Sequence, residues 1–388
     1  MCEDGILGIA NPVESAAPAV LAVRKLILTA FRCYAGCRLE PDGRPAVLTG
    51  PNGAGKTNLL EAISFLAPGR GLRRARIGDP DRHGQTDGWA VAAELETACG
   101  PVQIGTGREA ETERRVVRIN GAPVKNQAML AEYVSVVWMT PQLDRLFLDG
   151  AGVRRRFLDR LVYGFDPAHA GRVAGYEQAL RERARLLKTG TRDDAWIGAL
   201  ERQMAERGVA IAAARREMAA RLDAACRTAS GPFPGASVGI QGDVETWLDA
   251  APALTAEERL RAALADGRAG DAEAGGASVG PHRSDLGVRH IEKDMPAALC
   301  STGEQKALLI AIVLADLRLQ AAERGTVPLL LLDEVAAHLD EEIRAALFQT
   351  ILELGAQAWL TGTDAGLFAP LGDRVQRYAV ENAALVRT

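Results

Sequence analysis

Hydrophobic runs of membrane-spanning length are missing from this chain of 388 residues. No apolar run approaches the ~20 residues that a membrane helix needs, so the sequence predicts no membrane segment. The N-terminus reads "MCEDGILGIANPVESAAPA" and has no basic residues before its apolar part, which argues against a secretory signal. We interpret residues 1–22 as a flexible, loosely ordered extension, with a misplaced start codon as the alternative.

Cysteine is scarce and scattered, with six residues in the whole chain. This usage suggests reduced thiols and a cytoplasmic location. Cys33 and Cys37 are close together, but no second Cys/His pair accompanies them, so incidental or buried cysteines are favoured over a metal site. A Ser/His/Asp set or a metal-hydrolase set is also missing, and nuclease activity is therefore not supported.

An overall excess of positive charge is missing too, because the formal net charge is −4. The charge is unevenly distributed, however. Residues 151–230 contain 16 Lys and Arg against 10 Asp and Glu, a local balance of +6. A basic segment in an acidic chain is a candidate contact for an anionic partner.

A glycine-rich loop stands out among the residues that are present. It matches the phosphate-loop pattern G-x-x-x-x-G-K-[ST] with Gly50, Pro51, Asn52, Gly53, Ala54, Gly55, Lys56 and Thr57. Its glycines allow backbone N–H groups to surround phosphates at the start of a helix. Lys56 is predicted to reach the β- and γ-phosphates, and the Thr57 hydroxyl to bind Mg²⁺. A chance glycine-rich turn is the weaker alternative, so ATP with Mg²⁺ is the expected cofactor.

Two carboxylates follow the apolar run "VPLLLL" at 327–332. Asp333 is predicted to bind Mg²⁺ through water, and Glu334 to polarise the attacking water as general base. The alternative is an ordinary buried strand that ends in acidic loop residues. The phosphate loop makes that alternative much weaker.

The remaining motifs resemble those of ABC-type ATPases, and they occur in the order found in that class. The segment "STGEQ" at 301–305 opens an apolar helix, as the signature sequence does, and predicts that Ser301, Gly303 and Gln305 contact ATP held by a second subunit. Asp340 takes the place of the D-loop residue. Gln142 matches the Q-loop residue that serves the metal and water, although a surface glutamine is an equal alternative. A switch histidine is absent, and Thr361 and Thr363 stand there instead.

The predicted fold is α/β: an ABC-type ATPase head (lobe I) with an inserted, mainly helical lobe II and a short helical arm. Strands are predicted at 23–28, 47–50, 89–97, 101–107 and 114–120, a turn at Asn120-Gly121, long helices over 151–230, strands and loops over 231–276, and alternating helix and strand from 300. The predicted domains are an extension (1–22), lobe I (23–135), lobe II with the arm and a DNA-contacting region (136–299), and the rest of the ATPase core (300–388).

From about residue 23 to its end, the chain resembles the RecF family. The resemblance includes the segments "LILTAFRCY" (26–34), "FLAPGRGLRRAR" (65–76), "RRRFLD" (154–159) and "GPHRSDL" (280–286), of which the last two are not general ATPase motifs. Glu304 departs from the family, which usually has glycine or glutamine there. The resemblance implies a weak ATPase that forms an ATP-dependent homodimer and clamps duplex DNA beside single-strand gaps. It also implies that RecO and RecR act with it to load RecA in the response to DNA damage.

Two arginine groups fit DNA contact, because such clusters neutralise backbone phosphates without reading sequence. They comprise Arg70, Arg73, Arg74, Arg76, Arg154, Arg155 and Arg156. For residues 181–227 a solvated helix face is the favoured interpretation. For His282 a structural or DNA-contacting role is favoured over catalysis. A transporter-type energising subunit and a DNA-independent regulatory ATPase remain as alternative functions.

Overall fold

The computed structural model describes residues 19–82, 87–110, 112, 114–190, 193–227 and 231–388. Its strands are β1 (Ala19–Val20), β2 (Ala22–Phe31), β3 (Tyr34–Leu39), β4 (Ala46–Thr49), β5 (Gly88–Thr97), β6 (Gly100–Glu109), β7 (Arg115–Ile119), β8 (Ala122–Pro123), β9 (Val136–Met139), β10 (Ala236–Gln241), β11 (Asp285–His290), β12 (Met295–Pro296), β13 (Thr326–Val327), β14 (Leu329–Leu332), β15 (Ala358–Gly362), β16 (Gln376–Glu381) and β17 (Ala384–Arg387).

The α-helices are α1 (Lys56–Ser64), α2 (Ala151–Tyr163), α3 (His169–Lys188), α4 (Asp194–Arg227), α5 (Asp243–Ala250), α6 (Ala253–Asp266), α7 (Arg268–Ala274), α8 (Thr302–Arg324) and α9 (Glu341–Leu354). Short 3₁₀ segments occupy Gln127–Glu132, Pro141–Arg145, Ala297–Leu299, Ala336–His338 and Ala365–Arg374. Within the described residues, every helix is too short or too polar to cross a membrane.

The central sheet has the strand order β17-β16-β4-β15-β14-β9, and all its pairs are parallel except β16 with β17. The apolar run 329–332 is buried on both faces. Leu329 and Leu331 belong to one hydrophobic core, and Leu330 and Leu332 belong to the other. This two-sided burial explains why the strand is continuously apolar and does not alternate. The helix and strand alternation predicted from residue 300 is confirmed.

The second sheet has the order β3-β2-β5-β6-β7-β8 and is antiparallel throughout. It packs against α1, whose Leu59, Leu60 and Ile63 are buried between the two sheets. Asn120 and Gly121 both have positive φ and join β7 to β8 in the tight turn that the sequence predicted. The predicted strands in this region are confirmed.

Helices form a separate layer after α2. The 34-residue α4 spans two cores: Met204 and Val209 pack with α3 and α6, while Met218 and Leu222 pack against the central sheet's own core. Gly190 follows the end of α3 with φ +68, as the predicted glycine stop requires. The predicted long helices over 151–230 are confirmed within the described residues.

The prediction of strands and loops over 231–276 is confirmed for β10 and the loop before it, and it is wrong from Asp243 on. Apart from β10, the segment forms α5, α6 and α7. Alanine-rich sequence has a high helix propensity, and Ala256, Leu260 and Leu264 recur every four residues on the buried face of α6. Gly208 of α4 permits this packing, because a Cβ there would lie 3.0 Å from Leu260 Cδ2.

Two placements bear on the predicted domain limits. Of the extension 1–22, residues 1–18 lie outside the described residues, Ala19–Val20 pairs with Thr326–Val327, and Leu21 is buried. β9, which begins the segment 136–299, pairs with β14 in the central sheet. The three-stranded sheet β10-β11-β12 lies within that same segment.

Candidate nucleotide-binding site

Four parallel strands end at the same edge of the central sheet, and the predicted site residues follow them. β4 leads into the phosphate loop, β14 into Asp333, and β9 into the segment that carries Gln142, while Thr361 is near the end of β15. Parallel strands place their carboxyl ends together, which is where open α/β sheets bind ligands. The fold therefore assembles at one edge residues that are up to about 300 positions apart.

Glycines are required in the phosphate loop by both conformation and space. Gly50, Gly53 and Gly55 have φ values of +152, +80 and +115. A Cβ on Gly50 would lie 2.1 Å from Val380 O, and one on Gly55 would lie 2.8 Å from the Tyr34 hydroxyl. The Tyr34 hydroxyl donates to Gly55 O at 3.1 Å. The loop is thus packed closely against β3 and β16.

The Lys56 ammonium is folded back into this loop. It donates to Gly50 O at 2.7 Å and to Pro51 O at 3.1 Å, and it lies 3.5 Å from Glu334 Oε1. Its side chain is only 5% exposed. Two of the three ammonium N–H groups thus donate to uncharged carbonyl oxygens. These bonds hold the Lys56 ammonium in position without neutralising its positive charge.

Asp333 is the centre of a hydroxyl network. Thr57 Oγ1 donates to its two carboxylate oxygens at 2.9 and 3.1 Å, and Thr361 Oγ1 donates to Asp333 Oδ1 at 2.8 Å. Thr361 Oγ1 also accepts from Glu334 N at 2.9 Å. Glu334 has φ +53, a left-handed conformation that is unfavourable for a residue with a Cβ. Strained backbone of this kind clusters at functional sites.

The donor set fits Mg²⁺. A hydroxyl and a carboxylate in direct contact are hard oxygen ligands, and Mg²⁺ typically takes one or two such protein ligands and completes its shell with phosphate and water. A glycine-rich loop that starts a helix beside this pair supplies the place for the phosphates.

Gln142 is exposed in the 3₁₀ segment Pro141–Arg145 at the same edge. Asp333 N donates to Met139 O at 2.9 Å, which fixes the strand that precedes Gln142 beside the acidic pair. In the same segment, Asp144 lies 3.4 Å from the ammonium of Lys306, a buried residue of α8. The Q-loop segment is therefore tied to the signature helix.

The signature segment forms a capped helix start. The Ser301 side chain accepts from Glu304 N, and the Glu304 side chain accepts in turn from the Ser301 backbone, which is a capping box. A salt bridge to Lys293 and bonds from Ser301 lower the pKa of Glu304 to about 2. The Glu304 carboxylate thus accepts hydrogen bonds of 2.9 Å from both the backbone N and the hydroxyl of Ser301.

Ser301, Gly303 and Gln305 are not brought to the phosphate loop of the same chain. Among the described residues, no hydrogen bond joins 301–305 to 50–57. Gly303 instead lines a cavity of about 360 Å³ together with Asp340 and Phe233. Asp340 begins α9 and accepts from Ile343 N at 2.8 Å. Thr363 is exposed.

Sequence reasoning missed several residues that shape the site. Glu61, fully buried in α1, binds Arg32 through two hydrogen bonds of 2.9 and 2.7 Å. A buried carboxylate in an apolar helix must have a cation partner, and this requirement was the available signal.

Arg115 is another such residue. All five of its guanidinium donors bind neutral acceptors: Thr106 Oγ1, Gln127 Oε1 and the carbonyls of Phe65, Ala67 and Gly69, which follow α1. Burial lowers its pKa to about 10. The available signal was strand alternation, because Arg115 shares the face of the buried Val117 and Ile119 while the exposed Arg118 lies on the other face.

The loop after α1 exposes all four of its arginines. Arg70 Nε donates to Ala75 O at 3.0 Å, and Arg73 donates to Asn58 at 2.9 Å and to Glu61 at 3.3 Å. Arg74 has φ +55, so it lies at a sharp bend. Arg76 N donates to Asp79 at 2.6 Å. Of these four arginines, Arg73 contacts the phosphate-loop helix directly, through Asn58 and Glu61.

The three arginines of α2 differ from one another. Arg154 makes two hydrogen bonds to Asp285 at 2.7 and 2.8 Å, and Arg155 donates to Ser284 O at 2.6 Å. Arg156 is exposed. The first two are therefore engaged in packing between the segments 154–159 and 280–286.

We call this contact the motif junction; it consists of the segments 154–159 and 280–286 with Arg215, His169 and Tyr176. Arg215 makes two bonds of 2.8 Å to Asp159 and donates to Pro281 O at 2.6 Å. His169 binds the same Asp159 at 2.8 Å. His282 lies between the Tyr176 hydroxyl at 2.8 Å and Ala277 O at 2.9 Å. Burial lowers the pKa of His282, so a neutral ring with two fixed partners has a structural place here.

The chain is similar to known proteins over nearly its whole length. The family model described as the RecF/RecN/SMC N terminal domain matches residues 22–383. The chain is 52% identical to the DNA replication and repair protein RecF of Mesorhizobium japonicum, over 95% of this chain and 98% of that protein. The RecF of Allorhizobium ampelinum is 50% identical over 94% of this chain and 98% of that protein.

Solved structures show the same fold. The recombination mediator protein RecF with ATP, from the RecFOR pathway, superimposes with a TM-score of 0.83 at 20% identity and covers 96% of this chain and 99% of that one. The Smc head domain derived from Pyrococcus furiosus superimposes with a TM-score of 0.54 at 16% identity, over 95% and 96% of the two chains. The predicted ATPase-head architecture is confirmed.

Proposed function

The chain belongs to the RecF family of DNA replication and repair proteins, and we propose that it is an ATP-dependent DNA-binding protein of recombinational repair and replication restart. One observation carries the proposal: Lys56, Thr57, Asp333 and Glu334 contact one another at one sheet edge although 276 residues separate the second from the third. Such an assembly has no purpose in packing alone, because it keeps charge beside an open glycine loop.

The proposed chemistry assigns a task to each side chain. The loop 50–55 and Lys56 bind the phosphates of ATP, and Thr57 and Asp333, with Gln142, hold Mg²⁺. When bound there, Mg²⁺ would supply positive charge beside the phosphates. Glu334 takes the proton of the attacking water. Lys56, 3.5 Å away, holds the Glu334 carboxylate near the place of the phosphates.

Ser301, Gly303 and Gln305 complete the site from a second copy of the chain. They lie away from the phosphate loop of their own chain, and they open a 23-residue helix whose N-terminus favours an anion. The ATP-bound homodimer closes, and slow hydrolysis parts the two copies. ATP then acts by binding the closed dimer better than the open one.

Duplex DNA beside single-strand gaps is the proposed partner, with RecO and RecR assisting RecA loading in the cytoplasm. The exposed Arg70, Arg73, Arg74, Arg76 and Arg156 are the proposed phosphate contacts. Arg154 and Arg155 contribute less, because Asp285 and Ser284 already hold them. We retain lobe I (23–135 and 300–388) and an inserted lobe II (136–299) as the proposed division, with β9 contributed by the insertion to the central sheet.

The deciding experiment measures ATP turnover with and without duplex DNA, at low and moderate salt. Stimulation that fades as salt rises is expected, because phosphate contacts release counterions. A Glu334→Gln variant should bind ATP and remain on DNA, with Lys56→Ala as the non-binding control. Free dissociation of Glu334→Gln would contradict the clamp. Turnover indifferent to DNA would favour a DNA-independent regulatory ATPase, and co-sedimentation with membranes would favour a transporter-type subunit.

A further inference from the structure

Thr361 is the residue at this site whose contacts exceed what packing requires. It is only 1% exposed, one residue after Leu360, which pairs with Leu332 of β14. This register places Thr361 beside Asp333. On the other side of β15, Thr361 pairs with Leu48 of β4, the strand that leads into the phosphate loop. A valine would fill the same space in a buried strand, so the hydroxyl calls for an explanation.

The hydroxyl uses both its donor and its acceptor on the acidic pair. It donates to Asp333 Oδ1 at 2.8 Å and accepts from Glu334 N at 2.9 Å. One side chain therefore fixes two neighbouring residues, one through its carboxylate and the other through its backbone.

The hydrogen bond from Glu334 N to Thr361 Oγ1 acts on the strained backbone of Glu334. Glu334 adopts φ +53, which a residue with a Cβ avoids unless its surroundings hold it there. The bond from Glu334 N to Thr361 Oγ1 is such a restraint. In this conformation the Glu334 carboxylate lies 3.5 Å from Lys56 Nζ, on the side of the phosphate loop.

We propose that Thr361 is the positioning residue for hydrolysis, holding the Asp333 carboxylate and the Glu334 backbone in the arrangement that hydrolysis needs. This inference rests on the proposed ATPase function. Thr361 acts through the two acidic residues, with which its hydroxyl makes both of these hydrogen bonds. Thr350, a buried threonine of α9 to which no role in the site is assigned, supplies a matched control.

Three variants test the proposal: Thr361→Val removes the hydroxyl at constant shape, Thr361→Ser keeps it, and Thr350→Val is the control. Thr361→Val should lower the turnover number by roughly 10- to 100-fold, as loss of an orienting partner typically does. ATP affinity, which depends on the loop and Lys56, should change by less than about threefold. The Mg²⁺ concentration needed for half-maximal ATP binding should rise, because Asp333 loses its orienting bond. Thr361→Ser and Thr350→Val should behave like the unchanged protein.

Wild-type turnover in Thr361→Val would overturn the inference, and so would a Thr361→Ser variant as slow as Thr361→Val. An equal loss of ATP affinity and turnover would also overturn it, since Thr361 would then serve binding. The melting temperatures of the nucleotide-free proteins identify a folding defect. If Thr361→Val has one, restored turnover in Thr361→Ser decides whether the hydroxyl is needed. If the unchanged protein neither binds nor hydrolyses ATP, the proposed function fails first, which is a distinguishable result.

Discussion

The nucleotide site and the motif junction use the same kinds of residue in opposite ways. At the junction, Arg215 meets Asp159 through two bonds of 2.8 Å, and both side chains are almost fully buried. At the nucleotide site, Lys56 donates to carbonyls and stays 3.5 Å from Glu334. One region satisfies its charges from within the chain, and the other keeps an ammonium and two carboxylates close without pairing them fully.

The difference shows how a fold separates structure from binding. A buried ion pair that is complete within the chain is costly to break, because removal of one partner leaves a desolvated charge. Charges held loosely beside a glycine loop contribute little to stability and remain available to an external ligand. Motif strength in the sequence does not separate these cases, since the segments 154–159 and 280–286 are as characteristic as the phosphate loop.

The largest contrast is expected from removing one cation in each region. Arg215→Met should lower the free energy of unfolding by about 3–5 kcal/mol, because the buried Asp159 carboxylate would lose its guanidinium partner. Of its two side-chain partners, Arg215 and His169, only His169 would remain. Lys56→Met should lower it by less than about 1 kcal/mol, yet weaken ATP binding roughly 100-fold. Urea unfolding and ATP titration measure both quantities. Equal losses of stability in the two variants would break the comparison.

A smaller contrast divides the arginines of α2. Arg156→Ala should leave thermal stability unchanged, weaken DNA binding at all sequences, and reduce the slope of log affinity against log salt by about one. Arg154→Ala should cost about 1 kcal/mol of stability, since its partner Asp285 is partly exposed and screened. Binding to a duplex with a gap, over a salt series, measures the slopes. An unchanged slope in Arg156→Ala would remove that residue from the DNA contacts.

The smallest effect concerns Asp316 in α8, a buried acid that belongs to neither arrangement. Gln320 donates to its Oδ2 at 2.9 Å, and burial raises its pKa to about 7 despite attraction by Arg160. The folded state therefore binds a proton that the unfolded state has lost, between about pH 4 and 7, and stability falls as pH rises through that window. Asp316→Asn should flatten this decline. If the melting temperatures of the unchanged protein and Asp316→Asn changed with pH in the same way, this role of Asp316 would be contradicted.

Much of the fold followed from the sequence because local patterns determine it. The apolar run 329–332, the long helical period of α4 and the Asn120-Gly121 turn each specify one element through burial or backbone preference. The helices over 231–276 were missed because their glycines and acidic residues resemble loop sequence and outweighed the helical spacing of Ala256, Leu260 and Leu264.

The candidate site was foreseeable where a motif states the chemistry, as in the loop 50–57 and the acidic pair. Its supporting residues were not, because Glu61 with Arg32, Arg115 and the hydroxyl of Thr361 acquire partners only when distant strands meet. Whether each predicted residue binds ATP, Mg²⁺ or DNA stays a prediction for the experiments above.

The strand 329–332 also raises a question of register. Because β14 consists of four consecutive leucines, a slip of one or two residues would still bury leucine in each core. Hydrophobic burial therefore cannot fix the alignment of β14 with its neighbours. The alignment is instead fixed by hydrogen bonds at the polar end of the strand. Asp333 N donates to Met139 O, and the Asp333 carboxylate accepts from the hydroxyls of Thr57 and Thr361. Glu334 N donates to Thr361 Oγ1. The residues proposed to hydrolyse ATP are thus also the ones that align the central sheet, and a substitution among them tests alignment as well as chemistry.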